Sequence, residues 1–208
     1  MAEPLSLHDP FTRIERQRES DRFGMLLFLT SELMLFGGLF AAALSLRLLH
    51  KAAYIQASGE MHVWLGALNT AVLLTSSLLV ALAVEAVRAG APRRAGWLLA
   101  LAIALGLAFL AIKGGEYALE WHDGLVPRFQ PGGLHDGPQT LFMTLYFTAT
   151  GLHALHVTAG LVLLALLLGP LHAARADRGA TTVGNLALYW HFVDVIWIFL
   201  YPTLYLAR

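Results

Sequence analysis

GPQTLFMTLYFTATGLHALHVTAGLVLLALLLGPLHAA, residues 137–174, contains no Asp, Glu, Lys or Arg. A helix needs about 20 apolar residues to cross a hydrocarbon core of about 30 Å, so this run is long enough to span a bilayer with tilt to spare. Turn signals bound it, with Pro131-Gly132-Gly133 before it and Gly169-Pro170 near its end. The run is therefore expected to form a transmembrane helix, placed at about 139–168.

Charge placement working outward finds four more spans, at about 23–46, 62–86, 95–117 and 185–206. The first holds one charge, Glu32, and the last holds one, Asp194. Between Glu60 and Glu85 there is none. The third is uncharged only over 95–112, so it is expected to run on through Lys113 with the lysine snorkelling to the interface. The expected fold is an all-α integral membrane bundle of five transmembrane helices at 23–208, after an N-terminal tail at 1–22. Trp64, Trp97, Trp121, Tyr189, Trp190 and Tyr205 fall near the predicted edges and fit interfacial belts.

Composition agrees. Of 208 residues 57% are hydrophobic and only 13% charged, where a soluble domain carries about a quarter. A formal net charge of zero gives no sign of nucleic-acid binding. The absence of cysteine excludes disulfides, thiolate metal sites and iron–sulfur clusters. The first apolar run follows Arg13, Arg16, Arg18 and Arg22 and is too long for the core of a secretory signal.

Lys and Arg on alternate sides set the orientation. The tail, Arg88, Arg93, Arg94, Arg175 and Arg178 make nine, against five from Arg47, Lys51, Lys113, Arg128 and Arg208. The positive-inside rule puts the N-terminus in the cytoplasm and the C-terminus outside. An acidic loop with Glu116, Glu120, Asp123 and Asp136 is then expected outside.

A carboxylate at mid-membrane costs about 2.5–3.5 kcal/mol and needs a reason. Glu32 and Asp194 are expected at similar depth. His191 shares a helix face with Asp194, His153 shares one with His156, and Asn69 lies in the second span. Two histidine pairs and a glutamate could ligate a metal, but di-iron bundles use more carboxylates and a Glu-x-x-His order that 153–156 lacks. The simpler expectation is that these groups satisfy one another and fix helix docking. Glu32 has only Ser31 as an obvious polar neighbour, and a lone carboxyl there must keep its proton or be reached by water. Gly37-Gly38 with Ala41-Ala42, and Gly151 with Gly160, would allow close helix approach. No Walker loop, G-x-S-x-G or H-E-x-x-H is present. No paired broken helices point to a solute transporter.

The run from Tyr189 to Tyr205, YWHFVDVIWIFLYPTLY, resembles the last helix of subunit III of cytochrome c oxidase. Thr150-Gly-Leu-His-Ala-Leu-His-Val resembles the preceding helix of that family, and Ser31-Glu-Leu-Met-Leu-Phe resembles its segment with a buried glutamate. Leu68-Asn-Thr and Glu116-Tyr match two shorter marks. The resemblance touches all five spans in order. It implies a haem-free, non-catalytic subunit of a proton-translocating haem-copper oxidase, without metal or redox cofactor of its own and with bound phospholipid. It also implies a bacterial inner-membrane location, subunits I and II as partners, and a role in sustaining proton uptake and working life. Glu32, Asn69, His153, His156, His191 and Asp194 would be its buried polar or lipid- and proton-linked residues. The long form of the family has seven helices, and this sequence shows the last five. Glu32 favours the cytochrome c branch over quinol oxidases. Lys113-Gly-Gly-Glu-Tyr and Asn69-Thr-Ala-Val-Leu-Leu-Thr-Ser-Ser are also similar to an accessory relative of nitric oxide reductase.

Overall fold

The computed structural model describes residues 14–126, 137–172 and 179–207, with side chains over 20–126, 137–169 and 182–207. Six helices follow in order: α1 (Ile14–Leu49), α2 (Lys51–Gly59), α3 (Val63–Arg88), α4 (Pro92–His122), α5 (Gly137–His172) and α6 (Gly179–Tyr205). Among the described residues, all but α2 contain a stretch long and apolar enough to cross a membrane. The five expected spans are all there. Helix α1 begins at Ile14, so residues 14–22 of the expected tail are helical. Asp136, Arg128, Arg175, Arg178, Arg208 and the Pro131-Gly132-Gly133 turn lie outside the described residues.

Helices α3, α4, α5 and α6 close a ring, each packed on the next and α6 on α3. Helix α1 leans on α5 and α6 from outside. Only 6% of its most apolar window is buried against 50% for α6, which makes α1 the peripheral helix. Its outward face carries Leu33, Met34, Leu35 and Leu44, as expected of a wall meeting hydrocarbon.

Backbone chemistry sets the ends. Gly90, at φ 71°, follows α3, with Ala91 N–H donating to Ala86 O and Gly90 N–H to Val87 O. That is a Schellman closure, and Pro92 then opens α4 at a position whose N–H has no intrahelical partner anyway. Gly124, at φ 73°, ends α4 in the same way, with Leu125 N–H donating to Glu120 O. Helix α6 ends soon after Pro202, and its last carbonyls are met by a different element. Tyr54 Oη donates to Thr203 O at 2.9 Å and Ser58 Oγ to Leu204 O at 2.8 Å, so α2 caps α6 from the side. Tyr54 lies outside the spans, and burial pushes its hydroxyl up to about 12, which keeps it a donor.

Close packing is set by Gly160, as expected, together with Gly106 and Gly66, which the sequence does not single out. Gly37 and Gly38 have open space where a side chain would project, and a Cβ on Gly151 would meet only Tyr117 Oη at 3.8 Å. Gly106 on α4 and Gly160 on α5 instead grip the Trp190 indole, which a Cβ would meet at 3.1 and 2.8 Å. A Cβ on Gly66 would reach Tyr201 at 2.7 Å. Trp64, Trp97 and Trp121 are exposed near helix ends, as interfacial residues should be. Tyr189, Trp190 and Tyr205 are buried and belong to the core, because they face the α6 neighbours and not the rim.

Candidate functional site

Glu32 finds its partner across the α1–α5 contact: its Oε2 lies 2.9 Å from His156 Nε2. The other imidazole nitrogen, Nδ1, donates to Leu152 O at 2.8 Å, which fixes the ring. Tyr189 Oη donates to His156 O at 3.0 Å, and the Phe36 ring stands edge-on to the imidazole at 5.3 Å. Both side chains of the pair are mostly buried, at 16% and 13% exposure, in the seam between the peripheral helix and the ring. The carboxyl expected to be isolated is therefore paired, by a residue 124 positions away that one-helix spacing could not reveal.

The histidines of α5 diverge. His153 is fully buried among the rings of Phe109 and Trp197, and neither ring nitrogen meets a partner. His191 contacts Ser77 Oγ on α3 at 2.5 Å. Asp194, on the same helix as His191, is buried and neither of its carboxyl oxygens meets a hydrogen-bond partner among the described residues. Thus α6 docks on α3 through the Ser77–His191 contact, and the expectation that His191 and Asp194 satisfy one another is not met, since Asp194 has no such partner. Asn69 is fully buried with its amide unpartnered. These residues occupy separate places, and among the described residues no three His, Cys, Asp or Glu gather as a metal site.

A further polar constellation was placed wrongly by the sequence reading. Lys113 does not snorkel: it is 2% exposed and its ammonium gives all three hydrogens to protein acceptors. These are Glu116 Oε2 at 2.9 Å, Tyr146 Oη at 2.7 Å and Tyr205 Oη at 2.5 Å. Tyr146 in turn donates to Glu120 Oε1 at 2.5 Å. Glu116 and Glu120 belong to α4 and not to an outer loop, and each is 1% exposed. The ammonium lies 4.7 Å from the Tyr146 ring centroid and 5.6 Å from that of Trp197, so aromatic faces complete its shell. The missed signal was periodicity. Leu99, Ala102, Gly106, Phe109, Lys113, Glu116 and Glu120 recur every three or four residues, and all are buried.

Fold and polar groups together define a polytopic helical membrane protein whose buried charges tie helices to one another. The family model for cytochrome c oxidase subunit III matches residues 14–207, and the chain belongs to that family. It is 34% identical over 193 residues to cytochrome c oxidase subunit 3 of Thermostichus vulcanus, covering 88% of this chain and 85% of that protein. The corresponding protein of Synechocystis sp. is 33% identical over 192 residues, covering 88% and 74%. Cytochrome bo(3) ubiquinol oxidase subunit 3 of Pseudomonas aeruginosa is 30% identical over 189 residues, covering 88% and 83%. The chain is thus a subunit III of the haem-copper oxidases, a membrane protein belonging with other oxidase subunits.

Proposed function

We propose that this chain serves a bacterial haem-copper oxidase of the cytochrome c type as its haem-free subunit, in the inner membrane with the N-terminus cytoplasmic. It docks on the haem- and copper-bearing subunit I beside subunit II, carries bound phospholipid, and sustains proton uptake without taking part in electron transfer. The observation that carries this reading is the Glu32–His156 pair. A mostly buried carboxyl in the seam between a peripheral helix and the ring suits lipid contact or proton linkage, and it is joined to a side chain and not to a redox centre. Similarity slightly higher to the cytochrome c oxidase relatives than to the ubiquinol oxidase one points the same way.

The experiment is affinity purification of the tagged chain from its own membranes in mild detergent. Haem and copper should copurify, and the preparation should consume oxygen with reduced cytochrome c. A preparation that instead reduces nitric oxide would favour the accessory role suggested by Lys113-Gly-Gly-Glu-Tyr, and one driven only by quinol would place it with the quinol oxidases. Recovery of the folded chain without any haem subunit would sink the proposal.

A further inference from the structure

The Lys113 cluster lies away from the Glu32–His156 pair and has no part in the function proposed above. Its geometry asks where the charge goes. Lys113, Glu116 and Glu120 stand at i, i+3 and i+7 on one face of α4. Helix α5 adds Tyr146 and α6 adds Tyr205, both essentially fully buried. The Lys113 nitrogen has three oxygen neighbours at hydrogen-bond distance, as many as an ammonium has hydrogens, and we take it as the cation of the cluster.

Two ionised carboxylates beside one ammonium leave a buried excess of one negative charge. Among the described residues nothing packed around the cluster offsets it. On α4, Tyr117 donates to or accepts from Thr150 at 2.6 Å, and Asp123 beyond it is acidic. On α5 the facing groups are Tyr146, Thr150 and His153, the last held among aromatic rings with no acceptor for a cationic ring. On α6 they are Trp197 and Tyr205, and on α2 Tyr54, whose hydroxyl is committed to Thr203 O. Among the described residues Lys113 is the one cation facing the cluster. A charge in this setting is strongly disfavoured without a counter-charge.

A second observation locates the deficit. Glu116 Oε1 and Glu120 Oε2 are buried and meet no donor, while the other oxygen of each carboxyl is bonded into the cluster. The two residues are four apart on one helix face, with Cβ atoms about 5–6 Å from each other. A proton on either oxygen turns an acceptor lacking a donor into a donor, and it makes the cluster neutral.

We propose that Lys113, Glu116 and Glu120 form a buried proton-binding site, in which the two carboxyl groups hold one proton between them. Exchange runs through the end of α4, where Glu120 lies three residues before Asp123 and the exposed His122–Asp123 pair meets the boundary. The site is a reservoir for one proton, and Lys113 is the positioning residue that limits it to one.

Infrared spectroscopy tests this on the full chain, purified in its native assembly in lipid nanodiscs at neutral pH. The parent should show the carbonyl stretch of a protonated glutamic acid, identified by its shift on 13C-glutamate labelling. Glu116→Gln and Glu120→Gln should each abolish that component, because the one remaining carboxylate is then neutralised by Lys113. Both substitutions keep side-chain shape, and thermal unfolding close to the parent's shows that the fold is kept. A component that survives in either variant overturns the proposal, as does a parent spectrum without a component that these variants remove.

Discussion

Replacing Glu32 by Gln tests the account of its pair with His156. Leu152 O can only accept, so the 2.8 Å contact places a hydrogen on His156 Nδ1. The 2.9 Å contact from Nε2 to Glu32 Oε2 then holds one further proton, and the pair is neutral overall whichever partner carries it. A Gln amide supplies an N–H at the same place and keeps both the bond and the shape. Glu32→Gln should therefore change stability by no more than about 1 kcal/mol, the net worth of one hydrogen bond. Glu32→Ala leaves Nε2 unpartnered, at about 1–3 kcal/mol, and opens a gap beside His156 that adds roughly 24 cal/mol per Å³ not refilled. Thermal unfolding of both variants in one detergent–lipid mixture should rank Gln near the parent and Ala well below it. In the reconstituted complex the Gln variant should keep the haem spectrum and initial rate, and alter only lifetime, lipid retention or sustained proton uptake. If Gln unfolds as readily as Ala, the neutral-pair argument is wrong. An initial electron-transfer rate reduced by orders of magnitude with assembly intact would make Glu32 part of the chemistry.

Lys113→Met should destabilise the chain by about 3–5 kcal/mol, the usual loss when one partner of a buried pair is removed. Adding Glu116→Gln should recover part of it, and strictly additive losses in thermal unfolding would show that the two side chains are not coupled. Gly160→Leu forces atoms into the Trp190 indole, which even a Cβ would meet at 2.8 Å, and should cost at least about 1–3 kcal/mol, while Gly38→Leu should cost far less in the isolated chain. Tyr54 has its hydroxyl raised by burial to about 12, so the stability it contributes is complete below its ordinary value near 10 and lost as pH rises towards 12. Tyr54→Phe should lose about 1 kcal/mol at neutral pH and show less alkaline destabilisation in pH-dependent melts, and an unchanged alkaline slope would count against the assignment. Reporter fusions after residue 207 should signal from outside and fusions at Gly90 from the cytoplasm, the reverse pattern refuting the orientation.

The five spans were legible because hydropathy integrates over a whole helix and is insensitive to any one residue. What the sequence hid was pairing between helices. Glu32 meets His156 and His191 meets Ser77 across large separations in sequence, and no periodicity within one element reports such a contact. Helix α2 was missed because nine residues are too short to register as a span, and its value lies in two side chains that cap α6. The glycines show the same division. That small residues permit close approach is readable from composition, but which of them a tryptophan occupies depends on how α4, α5 and α6 are arranged.

Lys113, Glu116 and Glu120 were misplaced for a different reason, and the error bears on orientation. The expectation puts Lys113 at the interface and Glu116 and Glu120 in an outer loop, but a charge near the end of an apolar stretch reaches water only where its helix face is exposed. On α4 the charges continue a buried stripe that begins at Leu99, and the helix face, not the mean hydropathy, decides their environment. Lys113 is satisfied inside the protein and is not a loop charge facing either compartment. Removing it from the count lowers the outer total from five to four while the cytoplasmic nine stand. The positive-inside bias is a rule about cations that stay in water beside the spans, so the correction strengthens the expected topology. On the proposed topology the end of α4 next to the cluster faces outward, and the proposed proton site lies opposite the basic side.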